Sequence, residues 1–351
     1  MPQCIVGWDI GGAHIKAAVL DSSDTISNVY QVPCPLWRGI EFLKKAIAEI
    51  LKKIPEKSCS HVITMTGELV DLFENRDQGV AKIIQVMQNS ITGSELKVYA
   101  GLEGFLAPGQ INRSHYKAIA SANWLASASL TADKIKTGLF IDIGSTTTDI
   151  LVLADHKVQA IGLTDYQRMI SAELVYTGII RTAVMSVAQS AYFKGQNMGL
   201  MAEYFATMAD VFRLTGELNE AHDQTDTADG AEKNIPASAK RLSRMTGYEY
   251  SENDLPLWRQ FAQNIKSQQK DKIKQACEKH LSRNYLSNGD FFIGAGVGRF
   301  LVKQIADDLG YPYLDFSALC EQKITHSNIN TADCAPAVSV ALLSERENRR
   351  S

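Results

Sequence analysis

Near-continuous apolar runs at 3–10, 14–20 and 26–32, separated by turn-sized gaps, predict three consecutive strands forming a β-meander. Gly11 and Gly12 fill the first gap and suit a tight turn. The period then changes. Leu43, Ile47, Ile50, Leu51 and Ile54 recur on one helical face, with Lys44, Glu49, Lys52 and Lys53 elsewhere and Pro55 as the stop. A strand at 61–65, an amphipathic helix at 79–91, a strand at 96–100 and a helical stretch at 114–130 capped by Ser114 complete the first half.

The meander pattern restarts at 138–143, 149–154 and 157–161. The segments G-W-D-I-G-G-A-H-I-K-A-A-V-L and F-I-D-I-G-S-T-T-T-D-I-L-V-L align without gaps, which makes them an internal repeat. Residues 169–220 read as mostly helical, with Met185, Met198, Met201 and Met208 filling core gaps. An acidic loop at 217–236 and helices at 238–247 and 257–283 follow. A strand at 291–293 then leads into G-A-G-V-G and a helix from Arg299 to Leu309. The expected architecture is α/β with two lobes of similar design facing a ligand cleft. Residues 1–136 form one lobe, and 137–351 the other with a helical insertion around 170–285.

Composition narrows the function classes. The 351 residues are 45% apolar and 21% charged with a net charge of -3, so no basic field exists to attract nucleic acid or an anionic membrane. No run is long and apolar enough to span a bilayer, and Asp9 interrupts the first apolar run, which argues against a secretory signal. The six cysteines form no C-x-x-C pair, so reduced thiols in a cytoplasmic protein are expected. Small-molecule substrates are the expected partners, and a homodimer stays open.

The two glycine turns carry the candidate chemistry. In D-I-G-G-A-H-I-K, the backbone amides of Gly11, Gly12, Ala13 and His14 can approach phosphate oxygens. Asp9 stands at the strand end, where a carboxylate can hold Mg²⁺, and Lys16 shares a strand face with His14. Alone, this segment is equally an ordinary hairpin with a surface lysine. In D-I-G-S-T-T-T-D, the hydroxyls of Ser145, Thr146, Thr147 and Thr148 join Gly144 and a second strand-end carboxylate, Asp142. A polar turn of that kind is common, but two turns matched in register are not. Gly294, Gly296 and Gly298 lie between a strand and a helix whose N-terminus can face an anion. A dinucleotide-binding reading is disfavoured because no following strand supplies an acidic residue.

In order and spacing these three segments resemble the actin-like (ribonuclease H-like) ATPase superfamily, which includes sugar kinases, acetate kinase and heat-shock ATPases. The phrases T-M-T-G-E-L (64–69), A-S-A-N-W (120–124), E-L-V-Y-T-G-I-I-R-T (173–182), F-A-T-M-A-D-V-F-R-L-T-G (205–216), T-A-D-G (227–230) and A-K-R-L-S-R-M (239–245) narrow the resemblance. They are similar to hydantoinase/oxoprolinase-like proteins of tetrahydromethanopterin and methanofuran one-carbon metabolism, found in methanogens and methylotrophic bacteria. The resemblance implies a transferase that condenses a furanylmethyl diphosphate with the phenol of γ-glutamyltyramine and releases diphosphate. The alternative is an ATP-dependent kinase or a hydantoinase/oxoprolinase-type hydrolase. It further implies Mg²⁺ on Asp9 and Asp142, with ATP allowed but not required. Lys16 and Glu68 join those aspartates as catalytic candidates, and Glu173, Arg181, Asp210 and Asp229 become substrate-binding candidates. Ala13 departs from the Thr or Ser of many kinases in the superfamily, which suits a ligand other than ATP.

Overall fold

The computed structural model describes residues 4–54, 59–324 and 328–350; Pro55 lies outside them. Along the chain run β1 (Cys4–Ile10), β2 (His14–Asp21), β3 (Ile26–Pro33), α1 (Ile40–Lys53), β4 (Cys59–Met65), α2 (Arg76–Ser90), β5 (Leu96–Tyr99), β6 (Phe105–Leu106), α3 (Tyr116–Ile119) and α4 (Asn123–Lys134). After these come β7 (Gly138–Ile143), β8 (Thr148–Ala154), β9 (Lys157–Val158), α5 (Asp165–Ser171), β10 (Leu174–Val175), β11 (Ser190–Phe193), β12 (Gln196–Gly199), α6 (Met208–Thr215) and α7 (Ile235–Arg244). The last are α8 (Leu255–Leu281), β13 (Phe291–Ala295), α9 (Arg299–Leu309), β14 (Tyr313–Asp315) and α10 (Ala335–Arg350).

The chain divides into two compact units, one of residues 1–138, 153–159 and 314–351, the other of 139–152 and 160–313. This differs from the sequence-based boundary, because residues 314–351 return to the first unit. The reason is a close approach. A Cβ on Gly7 of β1 would overlap the carbonyl of Ala337 and fall 2.9 Å from the Ala341 Cβ, so α10 lies directly on the strand through its small residues.

In the first unit, the six strands run in the order β3-β2-β1-β4-β5-β6. Alternation decides which side chain goes where. Val6, Trp8 and Ile10 join a buried cluster with Leu43, Ile47 and Ile50 of α1 and Val80, Ile83 and Met87 of α2. Gly7 and Asp9 point to the opposite face, where α10 packs. The same parallel register sets Cys4 opposite Cys59, with their Cα atoms 4.7 Å apart, and the two are joined by a disulfide. This corrects the expectation of unpaired thiols. Two cysteines 55 positions apart show no pairing signal until strand register is known.

In the second unit, the sheet order is β10-β8-β7-β13-β14. Its core gathers Ile141, Ile143 and Ile150 with Phe212 of α6, Trp258 and Phe261 of α8, and Leu301 of α9. The stretch 169–220 is not mainly helical. It contains α5 and α6, but also the β11–β12 hairpin, whose two turn residues, Lys194 and Gly195, both take positive φ (50° and 78°). Phe193 of that hairpin stacks on Trp258 at 4.6 Å between ring centroids. Met208 is fully buried, but Met185 and Met201 are exposed rather than core. The predicted helix 114–130 also breaks, because Ser121 takes φ 51° between α3 and α4.

Candidate functional site

The first glycine turn is built by β1 and β2. The amide of Gly11 donates to the His14 carbonyl at 3.0 Å and closes it. A Cβ on Gly11 would sit 2.7 Å from that carbonyl, which leaves no room for a side chain there, and one on Gly12 would sit 2.7 Å from a Val70 methyl, which would have to move aside. Asp9 lies opposite Lys16 on β2 and opposite Thr64 on β4, which puts the three side chains on one sheet face. The Lys16 ammonium donates to the carbonyl of Asp333, just before α10, at 2.6 Å. Asp9 and His14 are both buried. The turn rests on residues 66–70: Thr66 N–H donates to the Ile10 carbonyl at 3.0 Å, and Gly67 lies against Ile10 and Gly11. The next residue, Glu68, is buried and accepts a 2.7 Å hydrogen bond from the Ser121 hydroxyl.

The second turn repeats this construction between β7 and β8. Gly144 N–H donates to the Thr147 carbonyl at 2.9 Å, the counterpart of the Gly11–His14 bond in the aligned repeat. Ser145 and Thr146 are half-buried, and the Thr148 hydroxyl is turned inward to the Thr177 carbonyl at 2.7 Å. Residues 177–182 form a strap against the turn. Ile179 N–H donates to the Gly144 carbonyl at 3.0 Å, and Ile180 and Arg181 N–H donate to the Ser145 carbonyl at 3.1 and 2.9 Å. The Arg181 guanidinium reaches the Thr146 hydroxyl at 3.5 Å, and the residue is exposed. The glycine-rich loop closes on the other side. A Cβ on Gly296 would overlap the Asp142 carboxylate and the Ile143 carbonyl. Gly298 N–H donates to that same carbonyl at 2.8 Å. Gly294 is pressed by the Tyr313 ring. Asp142, Gly144–Thr148, Arg181 and Gly294–Gly298 are therefore gathered in the second unit, as Asp9, Gly11–His14, Lys16 and Glu68 are in the first.

The three other substrate-binding candidates have carboxylates engaged in holding the fold. Glu173 is fully buried and accepts from Ile161 N–H (2.6 Å), Gly162 N–H (2.8 Å) and the Ser171 hydroxyl (2.8 Å). Asp210 binds the Arg241 guanidinium at 2.7 Å and the Ser238 hydroxyl at 2.7 Å, with Arg213 at 3.6 Å. Asp229 binds Arg241 and Arg244, each at 3.0 Å. Burial pushes the Asp229 carboxyl up, but the Ala231 amide and the two guanidiniums outweigh it and hold the group below the usual carboxylate range.

Sequence reasoning missed the residues behind the turns. Gln269, fully buried in α8, donates to the Thr177 hydroxyl at 2.7 Å and the Gly178 carbonyl at 2.8 Å. Gly178 N–H donates to the Thr182 hydroxyl at 2.8 Å. Tyr204 stands near Arg181; burial raises its phenol pKa while the Arg181 charge opposes the rise. The signal that could have found the strap is the glycine in Y-T-G-I-I-R-T, a bulky stretch where only close backbone approach explains that residue.

A model of the hydantoinase/oxoprolinase family matches residues 60–334. The (4-{4-[2-(γ-L-glutamylamino)ethyl]phenoxymethyl}furan-2-yl)methanamine synthase of Methanocaldococcus jannaschii is 30% identical over 247 residues, covering 70% of this chain and 72% of the synthase. The synthase of the same name from Methanococcus vannielii is 33% identical over 110 residues, covering 31% of this chain and 49% of that protein. Among solved structures, nucleotide-free acetone carboxylase matches with a TM-score of 0.56 at 9% identity, over 97% of this chain and 70% of that one. This last likeness concerns the fold, which is actin-like. Given the family match over most of its length, this chain belongs to the hydantoinase/oxoprolinase family.

Proposed function

We propose that this protein is a transferase of methanofuran-type cofactor synthesis, joining a furanylmethyl diphosphate to the phenol of γ-glutamyltyramine or a close analogue. The names of the two relatives from Methanocaldococcus jannaschii and Methanococcus vannielii support this reading, since both describe a product with a phenoxymethyl-furan ether. The observation that carries it is the second turn: backbone amides and two half-buried hydroxyls beside Arg181, in a cradle closed by Gly296 against Asp142. Such a turn suits a phosphate group.

In the reaction the phenol oxygen forms a bond to the furanyl methylene carbon. The bond from that carbon to the diphosphate oxygen breaks, and diphosphate leaves with the electron pair. The phenol proton passes to a base. Arg181 and the amides of Ser145 and Thr146 receive the negative charge that grows on the departing oxygens. A phenol has an ordinary pKa of about 10, so a base should assist its deprotonation near neutrality. Glu68 is our candidate, because its segment lies against the first turn. The hard carboxylate oxygens of Asp9 in the first unit and of Asp142 in the second are each of the kind that suits Mg²⁺, and the absence of side-chain bulk at Gly296 fits the crowding around Asp142. Held by Asp142 beside the second turn, the ion would supply charge neutralisation for the diphosphate.

The test is direct. Purified protein is incubated with Mg²⁺ and either ATP or the furan diphosphate plus γ-glutamyltyramine. Phenol-dependent diphosphate release supports the reading. ADP formation without the phenol replaces it with a kinase or hydrolase activity of the same fold.

A further inference from the structure

Six large apolar side chains stand 50% to 72% exposed within residues 161–176: Ile161, Leu163, Tyr166, Met169, Ile170 and Tyr176. Scattered exposed apolar residues need no explanation, but these are grouped. Tyr166, Met169 and Ile170 have i, i+3, i+4 spacing, so they share one face of α5. Gly162 packs so tightly on Gln167 and Arg168 that the loop carrying Ile161 and Leu163 lies on the same helix.

The structure spends buried polar groups on holding this surface still. The Glu173 carboxylate fixes the amides of Ile161 and Gly162. Arg168, buried beneath α5, pairs with Asp149 of β8 at 2.7 Å. Thr164 caps the helix through the Gln167 amide at 3.3 Å. A rigid apolar surface loses little conformational entropy on association.

Its size and charges indicate the occupant. Half or more of each of the six residues is exposed, so the apolar area is on the order of the several hundred Å² of an ordinary monomer's largest patch, which is often an interaction surface. Tyrosine and methionine are enriched at interface cores, whereas charges are depleted there. Charges of opposite sign stand at the two ends of the helix. Asp165 opens α5, and the exposed Lys279 donates to the Ile170 carbonyl at 3.0 Å at its close. Two α5 helices packed antiparallel about a two-fold axis bring each Asp165 toward Lys279 of the second copy, as a self-complementary interface requires.

We propose that this face joins two copies of the chain into a two-fold dimer, α5 against α5. The inference is independent of the reaction proposed above. It is tested by sedimentation equilibrium of the full chain with Ile170→Asp, Tyr166→Glu, Asp165→Lys and Asp165→Lys/Lys279→Asp. The expected result is a wild-type dimer with a dissociation constant in the micromolar range, weakened more than about tenfold by each single change and recovered by the charge swap. Circular dichroism should show all variants folded, since the altered side chains are not in the core. A wild type that stays monomeric at about 100 μM overturns the proposal, whatever other partner the face then has. So do folded Ile170→Asp and Tyr166→Glu variants that dimerise like wild type, or a charge swap no better than Asp165→Lys alone.

Discussion

Gly178 lies so close to Thr146 that a methyl group on it would overlap the Thr146 amide nitrogen. It would also fall 2.7 Å from the Gly144 carbonyl. These neighbours are backbone atoms of the turn, so no side chain can swing aside to make room. Gly178→Ala should therefore shift Gly144–Thr146 away from the strap, at a cost of about 1–3 kcal/mol for overpacking. On the proposed function, affinity for diphosphate with Mg²⁺ should fall at least about tenfold, read by titration calorimetry beside a thermal melt. Gly199→Ala, where nothing lies within 4 Å of the added methyl, is the matched control and should behave as wild type.

Asp142 separates charge from shape. Asparagine has nearly the same volume, so Asp142→Asn fits the space left by Gly296 and should melt within a few degrees of wild type. The carboxylate charge is lost. Turnover should fall by roughly 10²–10³, the scale for removing one electrostatic contributor from a reacting site. Initial rates of diphosphate release measure it, and a near-normal rate would take Asp142 out of the mechanism.

The turns were legible because their chemistry is local. The gapless match of the two D-I-G segments sets Gly11 against Gly144 and His14 against Thr147, and the two closing hydrogen bonds fall on those pairs. The buttress behind each turn was not legible in the same way. Gln269 acts through its side-chain amide on the Thr177 hydroxyl and the Gly178 carbonyl, 91 positions from Gly178 in the chain, and no local sequence pattern joins the two. The family phrases turn out to meet in pairs. T-M-T-G-E-L touches A-S-A-N-W through Glu68 and Ser121, and T-A-D-G touches A-K-R-L-S-R-M through Asp229, Arg241 and Arg244. The Lys194–Gly195 turn is weakly signalled in the sequence, because lysine seldom takes the positive φ it adopts there and only the glycine marks the bend.

Asp210 tests whether a buried carboxylate serves the fold or the substrate. Its partners Arg213 and Arg241 are almost wholly buried, so Asp210→Asn leaves cationic groups short of counter-charge. Breaking a buried pair from one side costs about 3–5 kcal/mol. Urea unfolding should show that loss, while the KM of the remaining folded protein stays near wild type. A raised KM with unchanged stability would return Asp210 to the substrate site.

The Trp8 indole N–H donates to Nδ1 of His61 at 3.0 Å, which requires that nitrogen to be an unprotonated acceptor. Burial pushes the His61 pKa down from 6.5 to about 4. The sign follows from proton uptake: between these two values the unfolded chain binds the proton and the folded chain does not. His61 thus contributes stability that is complete above pH 6.5 and is lost progressively as pH falls toward 4. The slope is about 1.4 kcal/mol per pH unit, or roughly 3 kcal/mol across the window. Carboxylates also titrate near the acid end, so the useful quantity is the difference between wild type and His61→Gln. Urea midpoints at a series of pH values should give a variant whose stability is lower at pH 7 but falls less steeply below pH 6.5. Parallel curves would mean that His61 takes up its proton equally in both states, and the buried Trp8–His61 bond would then not be the acid-sensitive contact in the first unit.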